Sequence, residues 1–558
     1  MVVIGSGAAG LTAAIAAAEA GCTVVVFEKA SVVGGTTAVS GGGVWVPRNR
    51  HMQALGVSDS HDEALAYAQA CAGGREPDPV LLEQFLDAVL EATSWLEEHT
   101  PVRFVPSNIY SDYFAAYPGW KPLGRTLDPV PFASRDALGA WDERVRRGPH
   151  YPRLTLDELS GGGDPALSRG GDRGGGAGAA PFSTEMLRLS EERERNGVRT
   201  LGGGLVAALL RGALDRAVEV RADSPVRRLV LDEGAVVGVI TGEGAFAARR
   251  GVVLAAGGFE WNADLVRAFL GVPDLRPASP PTNYGDGLVM ALAAGAAVAN
   301  MTVAWSMPVT YDGRSTYDGE PFHSVGTPRS QAGCIGVNSH GRRFTNEGVS
   351  YMDFGRIHRA YDPVTQTYPH ESPVWLIFDQ LVRERIALSD LVPGAPTPQW
   401  VHEAPTLAEL AARIGVPGDA LGAEVERFNG FARDGADLDF GRGTVWYEGC
   451  ASGGPSAAKS LAAIEHPPFY AMRLYDGALG TAGGVLIDGH GRVRDARHGT
   501  VAGLYAAGNA AASVFGPGYP AGGATLGPAI AFGFRAGRHL AEMDAAEAGT
   551  AARSAVMR

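Results

Sequence analysis

Cysteine is scarce in this chain. The four present, Cys22, Cys71, Cys334 and Cys450, stand far apart and form no CxxC pair, which excludes a disulfide framework and gives no zinc-site spacing. Haem and iron–sulfur spacings are missing too, so no onward electron path is written into the chain. No uncharged apolar run reaches membrane-spanning length. The chain enters its first apolar strand at once, without a signal peptide, so the expected location is the cytoplasm. Positive charge is in deficit: 48 Lys and Arg against 61 Asp and Glu leave a net charge of −13, and no basic stripe offsets it. That balance argues against nucleic acid or anionic membrane partners. What is present, 558 residues at 45% apolar and 20% charged, is ordinary for a globular enzyme of at least two domains.

Glycine is abundant, and its first use is the most informative. Met1 to Ile4 reads as a buried strand, followed by Gly5-Ser6-Gly7-Ala8-Ala9-Gly10 and an Ala-rich helix. The next apolar run, Val24 to Phe27, ends in Glu28, 18 residues beyond Gly10 (28 − 10). This is a dinucleotide-binding fingerprint. Gly5 serves the tight turn, Gly7 the approach of a pyrophosphate, Gly10 the packing of helix on strand, and Glu28 the ribose hydroxyls. With 77 glycines in the chain a chance GxGxxG is common, but here strand, helix and acid each stand where the mechanism requires. After Glu28 and Lys29 comes a small-residue track containing Gly34, Gly35, Thr36, Thr37, Ser40, Gly41 and Gly42. Such a track suits an extended FAD, bound non-covalently, better than NAD. Two later strand-to-glycine segments agree: one ends in Ala256-Gly257-Gly258, the other in Gly508-Asn509. Val226, Asp286, Thr525 and Leu526 complete the candidate cofactor residues. No metal site is indicated.

The expected fold class is α/β, a Rossmann-like FAD-binding domain with an inserted α+β catalytic domain. Composition shifts place an FAD-binding segment at 1–273, a catalytic domain at 274–480 and a returning FAD-binding segment at 481–558. Apolar positions 82, 85, 86, 89, 90 and 96 predict an amphipathic helix whose stripe is core. The Gly-rich stretch 160–180 predicts a mobile surface loop. Residues 218–240 alternate like a small antiparallel sheet broken at Glu233-Gly234.

The order of these motifs resembles the succinate dehydrogenase/fumarate reductase flavoprotein superfamily, through Asn283-Tyr284-Gly285-Asp286-Gly287, Gly341 to Glu347, Gly483-Gly484 and the terminal Ala-Ala-Gly-Asn. Within it, Tyr110-Ser111-Asp112-Tyr113-Phe114, Asn346 to Arg356 and Gly518 to Gly527 resemble the 3-ketosteroid Δ1-dehydrogenase family. The resemblance implies a catalytic set of Tyr113, Tyr351, Tyr519 and Gly523. Read by composition alone, Tyr113 belongs to an aromatic core cluster, Tyr351 starts a helix and Tyr519 sits in a Gly/Pro turn. Two departures stand out: Ala521-Gly522 replace the family's usual Gly-Pro, and Phe114 stands where a second tyrosine is common.

The implied reaction introduces a C1=C2 double bond into a 3-ketosteroid. Tyr351 would take the C2 proton with Tyr113 as helper, Tyr519 O–H and the Gly523 amide would hold the enolate oxygen, and the C1 hydride would go to flavin N5. Glycine at 523 is expected because the backbone must approach the ligand without a Cβ. A 3-ketosteroid 4(5α)-dehydrogenase or a dehydrogenase of another cyclic ketone is the near alternative. Fumarate reduction fits less well: Thr481-Ala482 offers no histidine and Tyr519-Pro520 no arginine for a dicarboxylate. The electron acceptor is not specified by any motif.

Overall fold

The computed structural model describes residues 1–149, 152–159, 182–325, 328–371, 373–449, 454–497 and 499–543. The Gly-rich stretch 160–180 and Cys450 lie outside the described residues.

The short apolar runs of the fingerprint become the centre of a six-stranded sheet. Its order is Arg492–Arg494, Thr500–Ala506, Val252–Leu254, Val2–Ile4, Val25–Phe27 and Glu219–Arg221. All pairings are parallel except the first. Continuous apolar runs suit strands buried on both faces, and Val2, Val3, Val26, Val252, Val253 and Leu254 are at most 1% exposed. The sheet draws strands from both ends of the chain. Glu219–Arg221 therefore departs from expectation: it adds parallel to Val25–Phe27. The antiparallel sheet predicted there starts only at Arg228–Asp232 and continues through Ala235–Thr241 and Gly244–Ala247. A glutamate and glycine at positive φ, Glu233 and Gly234, make its first turn.

Helix Ala8–Glu19 follows the first strand, and helix Leu526–Glu542 packs along it. Small residues make that approach possible: a Cβ at Gly533 would stand 2.4 Å from Ala9 O and one at Gly537 2.3 Å from Ala13 O. The predicted amphipathic helix is Pro79–His99, capped by the Asp78 side chain with proline in its first turn. Residues 82, 85, 86, 89 and 96 of its stripe are buried.

A second sheet, Cys334–Val337, Val374–Asp379, Phe469–Leu474 and Val401–Ala404, is antiparallel throughout. Helices Leu407–Ile414 and Gly418–Asp434 share a core cluster with it. Strands also pair across the expected limits of this region. Val298–Ala299 joins Gly484–Val485, and Gly477–Thr481 lies between Arg276–Pro277 and Ala304–Ser306. A third small sheet, Val44–Trp45, Thr126–Pro129 and Phe104–Pro106, carries the N-terminal wall of the site described next. Among the described residues no helix is long and apolar enough to cross a membrane.

Candidate active site

The dinucleotide loop is built as its glycines require. Gly5 has φ +103°, and a Cβ there would stand 2.3 Å from Ala255 O; a Cβ at Gly10 would stand 2.0 Å from Gly5 O. Gly7 is open by comparison, its nearest neighbour being Thr37 Oγ1 at 3.4 Å. The Thr37 hydroxyl accepts from the Ala8 amide at 3.0 Å. The amides of Gly7, Ala9 and Gly10 donate to no group among the described residues, and helix Ala8–Glu19 has no side-chain cap and no acid in its first turn. Free amides at an uncapped helix start are what a pyrophosphate needs. Glu28 Oε2 accepts from Ser6 Oγ at 2.6 Å and Ser6 N at 3.2 Å, and Oε1 from Ala30 N at 2.9 Å. Its carboxylate is thus fixed, with acceptor capacity left over for a ribose.

The small-residue track folds differently from an extended channel. Gly35–Val39 is a short helix entered through Gly34 at φ +113°. Gly34 N donates to Ser6 Oγ at 2.9 Å, and Thr36 Oγ1 accepts from Asn283 Nδ2 at 2.8 Å. Ser40 Oγ donates to Thr37 O at 2.8 Å and accepts from Gly42 N at 3.1 Å, while the Leu156 side chain covers Gly41. Lys29 pairs with Asp286 at 2.6 Å, and Gly257 lies against Asn283. The loop, the track, residues 256–258 and residues 283–286 therefore form one surface. Gly508, Asn509 and Thr525 line a small cleft with Trp305, and Leu526 follows Thr525 as the first residue of helix Leu526–Glu542. Val226 is half-buried just before the antiparallel sheet, two residues after Ser224, whose amide donates to Glu28 O at 2.9 Å. Two contributors were not foreseen. The start of helix Leu201–Leu214 crosses the track so closely that a Cβ at Gly202 would stand 1.8 Å from Thr37 O. Asn283, quoted for its motif alone, bridges Thr36 and Glu260, the latter at 2.6 Å.

The three candidate tyrosines meet, although 238 residues separate the first from the second and 168 the second from the third. Tyr113 O–H donates to Tyr351 Oη at 3.4 Å, and Tyr351 O–H to Tyr519 Oη at 2.9 Å. Tyr351 is the first residue of helix Tyr351–Ile357, where Ser350 Oγ caps Asp353 N at 3.2 Å. Its helix-start position was legible; its hydroxyl goes to the phenol cluster rather than to water. Tyr447 packs edge-on against Tyr113 at 4.5 Å and Trp305 against Tyr519 at 5.4 Å. Neither was foreseen, since a Trp-Tyr pair in a Gly-rich stretch has no periodicity to mark it. Burial pushes the Tyr113 and Tyr351 phenols well above their ordinary value, and for Tyr351 the Tyr113 hydroxyl opposes the rise. Tyr519 is raised by burial as well, opposed by the Tyr351 and Thr525 hydroxyls.

A buried frame holds this cluster. Arg125 bonds Asp59 through Nε and Nη2, at 2.9 and 2.6 Å, and Asp112 through Nη1 at 2.6 Å. Asp112 also accepts from Trp45 Nε1 at 2.9 Å. Burial raises the Asp112 carboxyl to about 6 against the pull of Arg125. Asp112 immediately precedes Tyr113, whose amide donates to Pro520 O at 2.9 Å; Tyr67 O–H donates to the same oxygen at 2.8 Å. Thr126 Oγ1 donates to Gly522 O at 2.8 Å. The Ala521-Gly522 departure has a steric reason: any Cβ at 522 would meet the Tyr110 ring at 3.1 Å.

Gly523 has a steric reason within the protein itself. At φ +90° its Cβ would stand 2.5 Å from Trp45 N and 2.7 Å from Gly43 C. The neighbouring segment therefore demands glycine here, whatever a ligand requires. Its carbonyl accepts from Trp45 N and Gly527 N, at 3.2 and 2.9 Å, while its amide has no acceptor among the described residues. That amide remains available to a ligand oxygen.

Comparison with known proteins agrees with this architecture. The FAD binding domain family matches residues 1–526. The 4-oxocyclohexanecarboxylate 2-dehydrogenase of Sinomonas cyclohexanicum is 38% identical over 571 residues, 100% of this chain and 95% of that protein. A 3-oxosteroid 1-dehydrogenase of Mycobacterium tuberculosis is 34% identical, covering 97% and 98%. The crystal structure of 3-ketosteroid delta1-dehydrogenase from Sterolibacterium denitrificans in complex with 1,4-androstadiene-3,17-dione superposes with a TM-score of 0.85 at 32% identity, covering 97% and 98%. Fold and site thus define an FAD-dependent oxidoreductase of α/β architecture. The chain belongs to the FAD binding domain family and is closely related to the 3-ketosteroid Δ1-dehydrogenases within it.

Proposed function

We propose that this protein desaturates a ring ketone beside its carbonyl, the C1=C2 position of a 3-ketosteroid being the first reading. The single observation that carries it is the chain of hydroxyls through Tyr113, Tyr351 and Tyr519, the last on a loop whose Gly523 amide has no acceptor among the described residues. An α proton leaves readily only when the developing enolate oxygen is held by donors. Tyr519 O–H and Gly523 N–H are two such donors on one rigid loop. Tyr351 Oη takes the proton; a phenolate there would keep the Tyr113 hydroxyl as its hydrogen-bond donor. FAD, held by Gly5 to Gly10, Glu28 and the Gly34–Gly42 track, supplies the acceptor for the hydride that leaves the β carbon. The aromatic walls exclude water and suit a neutral ring.

A second reading, 4-oxocyclohexanecarboxylate or a similar monocyclic ketone, is favoured by the 38% relative and by the Tyr110 ring that closes over Gly522. The test is anaerobic titration of the yellow protein with 4-androstene-3,17-dione, its 5α-saturated analogue and 4-oxocyclohexanecarboxylate. Flavin bleaching with loss of two hydrogens from the ligand identifies the substrate and its regiochemistry. A flavin that stays yellow with every ring ketone overturns the proposal.

A further inference from the structure

One carboxyl beside this site is not used by the mechanism above. Asp128 lies on strand Thr126–Pro129 and is 4% exposed. Its Oδ1 is buried and has no hydrogen-bond partner among the described residues, and no cation pairs with it there. Gly43 immediately precedes the opposite strand, Val44–Trp45, and a Cβ at Gly43 would stand 3.4 Å from Thr126 Cγ2, 3.5 Å from Asp128 Oδ1 and 3.9 Å from the Gly523 nitrogen. The missing side chain of Gly43 thus leaves a gap onto which two unsatisfied groups converge, an amide and a carboxyl oxygen. Thr126, two residues earlier on the same face, already holds the carbonyl of Gly522.

We propose that Asp128, in its neutral acid form, is a third hydrogen-bond donor to the substrate's carbonyl oxygen, alongside Tyr519 and Gly523. The inference rests on the carbonyl-clamp reading given under Proposed function. A buried carboxyl oxygen without a partner is costly in a folded protein, and an enolate oxygen at this gap would pair with Asp128 Oδ1. Asp128 only donates a hydrogen bond and keeps its proton, so the balance of the reaction is unchanged: one proton passes to Tyr351 and one hydride leaves the β carbon.

The surroundings favour the protonated acid up to about neutral pH. Burial raises Asp128 to about 7. The groups facing it are Ser107, just beyond strand Phe104–Pro106, whose side-chain hydrogen bond offsets the burial in part, and the Asp157 carboxylate of helix Leu156–Leu159, which adds to it. Gly43 and Gly523 on the other sides carry no side chain.

The pH profile of flavin reduction separates this role from simple packing. With a base raised above its ordinary phenol value, the reduction rate climbs about tenfold per pH unit. In the wild type, loss of the Asp128 proton should cancel that climb above about pH 7 and leave a plateau. In Asp128→Asn, whose amide donates at every pH, the climb should continue through pH 9. Asp128→Leu, which cannot donate, should lose on the order of 10²-fold at pH 7. Both are measured by anaerobic rapid mixing of the holoenzyme with whichever ring ketone bleaches it. Superimposable wild-type and Asp128→Asn profiles, or an undiminished Asp128→Leu rate, overturn the proposal. Tyr519→Phe is run in parallel: impairment there with superimposed profiles overturns Asp128 alone, whereas an unimpaired Tyr519→Phe overturns the whole carbonyl clamp.

Discussion

Tyr351→Phe removes one oxygen from the middle of a three-hydroxyl chain and nothing else. The ring contacts at 6.1 Å to Tyr113 and 5.6 Å to Tyr519 persist, so ligand binding should survive. Tyr113 O–H loses its acceptor and Tyr519 Oη a donor; buried groups left unpaired cost about 1–3 kcal/mol of stability, too little to unfold a domain of this size. Loss of the proton acceptor, in contrast, should slow flavin reduction by about 10²–10⁴-fold, about 3–5 kcal/mol on the barrier. The assay is anaerobic mixing of yellow protein with a ring ketone, following the bleaching of oxidised flavin, with thermal unfolding as control. Tyr113→Phe should lose less, because Tyr113 reaches the substrate only through Tyr351. Near-wild-type reduction in Tyr351→Phe would return the residue to packing and refute the assignment.

Four further outcomes are expected. Tyr519→Phe should reduce ketone-driven bleaching by about 10²-fold, and the chemically reduced wild type should leave fumarate untouched; rapid fumarate reduction would restore dicarboxylate chemistry. Gly523→Ala should lose activity and melting temperature together, since a left-handed residue costs about 1–2 kcal/mol and its Cβ would stand 2.5 Å from Trp45 N; an unchanged melting temperature would refute the strand contact. Denaturation should release free flavin with the mass of FAD, and a protein that retains colour after denaturation would show a covalent tether. Asp128→Asn should stabilise the fold at alkaline pH. Between the unperturbed 3.8 and about 7 the native state binds a proton that the unfolded state has released, so wild-type stability falls as pH rises through that window. The variant escapes the loss, by up to about 4 kcal/mol at pH 8, and the gap should close near pH 4; equal denaturation curves at pH 8 would contradict the buried, unpaired carboxyl.

The fold was legible where one local rule decides the outcome. Strand, glycine turn and Ala-rich helix over residues 1–19 follow from sterics within a single βα unit, and the stripe from Leu82 to Leu96 from helical period alone. Glu219–Arg221 was misread because its alternation looks like any half-buried strand. What places it in the parallel sheet is pairing with Val25–Phe27, nearly two hundred residues away, a long-range choice that periodicity does not encode. The Gly34–Gly41 track was read for its small residues and hydroxyls, with no backbone conformation assigned, because small polar residues have weak preferences. A helix start at Gly35 forms there because Gly34 adopts positive φ and the Leu201–Leu214 helix closes over it.

The active site divides along the same line. Tyr113, Tyr351 and Tyr519 were reached through resemblance, since each has an ordinary structural explanation in its own segment and only the tertiary fold makes their hydroxyls one chain. Tyr447 and Trp305 had no such guide. At Gly523 the tertiary fold adds a reason for glycine that the sequence did not show: the segment Gly43–Trp45 forbids its Cβ, and the same segment, by lacking a side chain at Gly43, opens the gap that Asp128 faces. The glycine that packs the carbonyl loop and the glycine that empties the space beside it are thus two halves of one arrangement. A ligand oxygen bound there would meet donors from two separate stretches of chain, neither of which identifies the other by spacing.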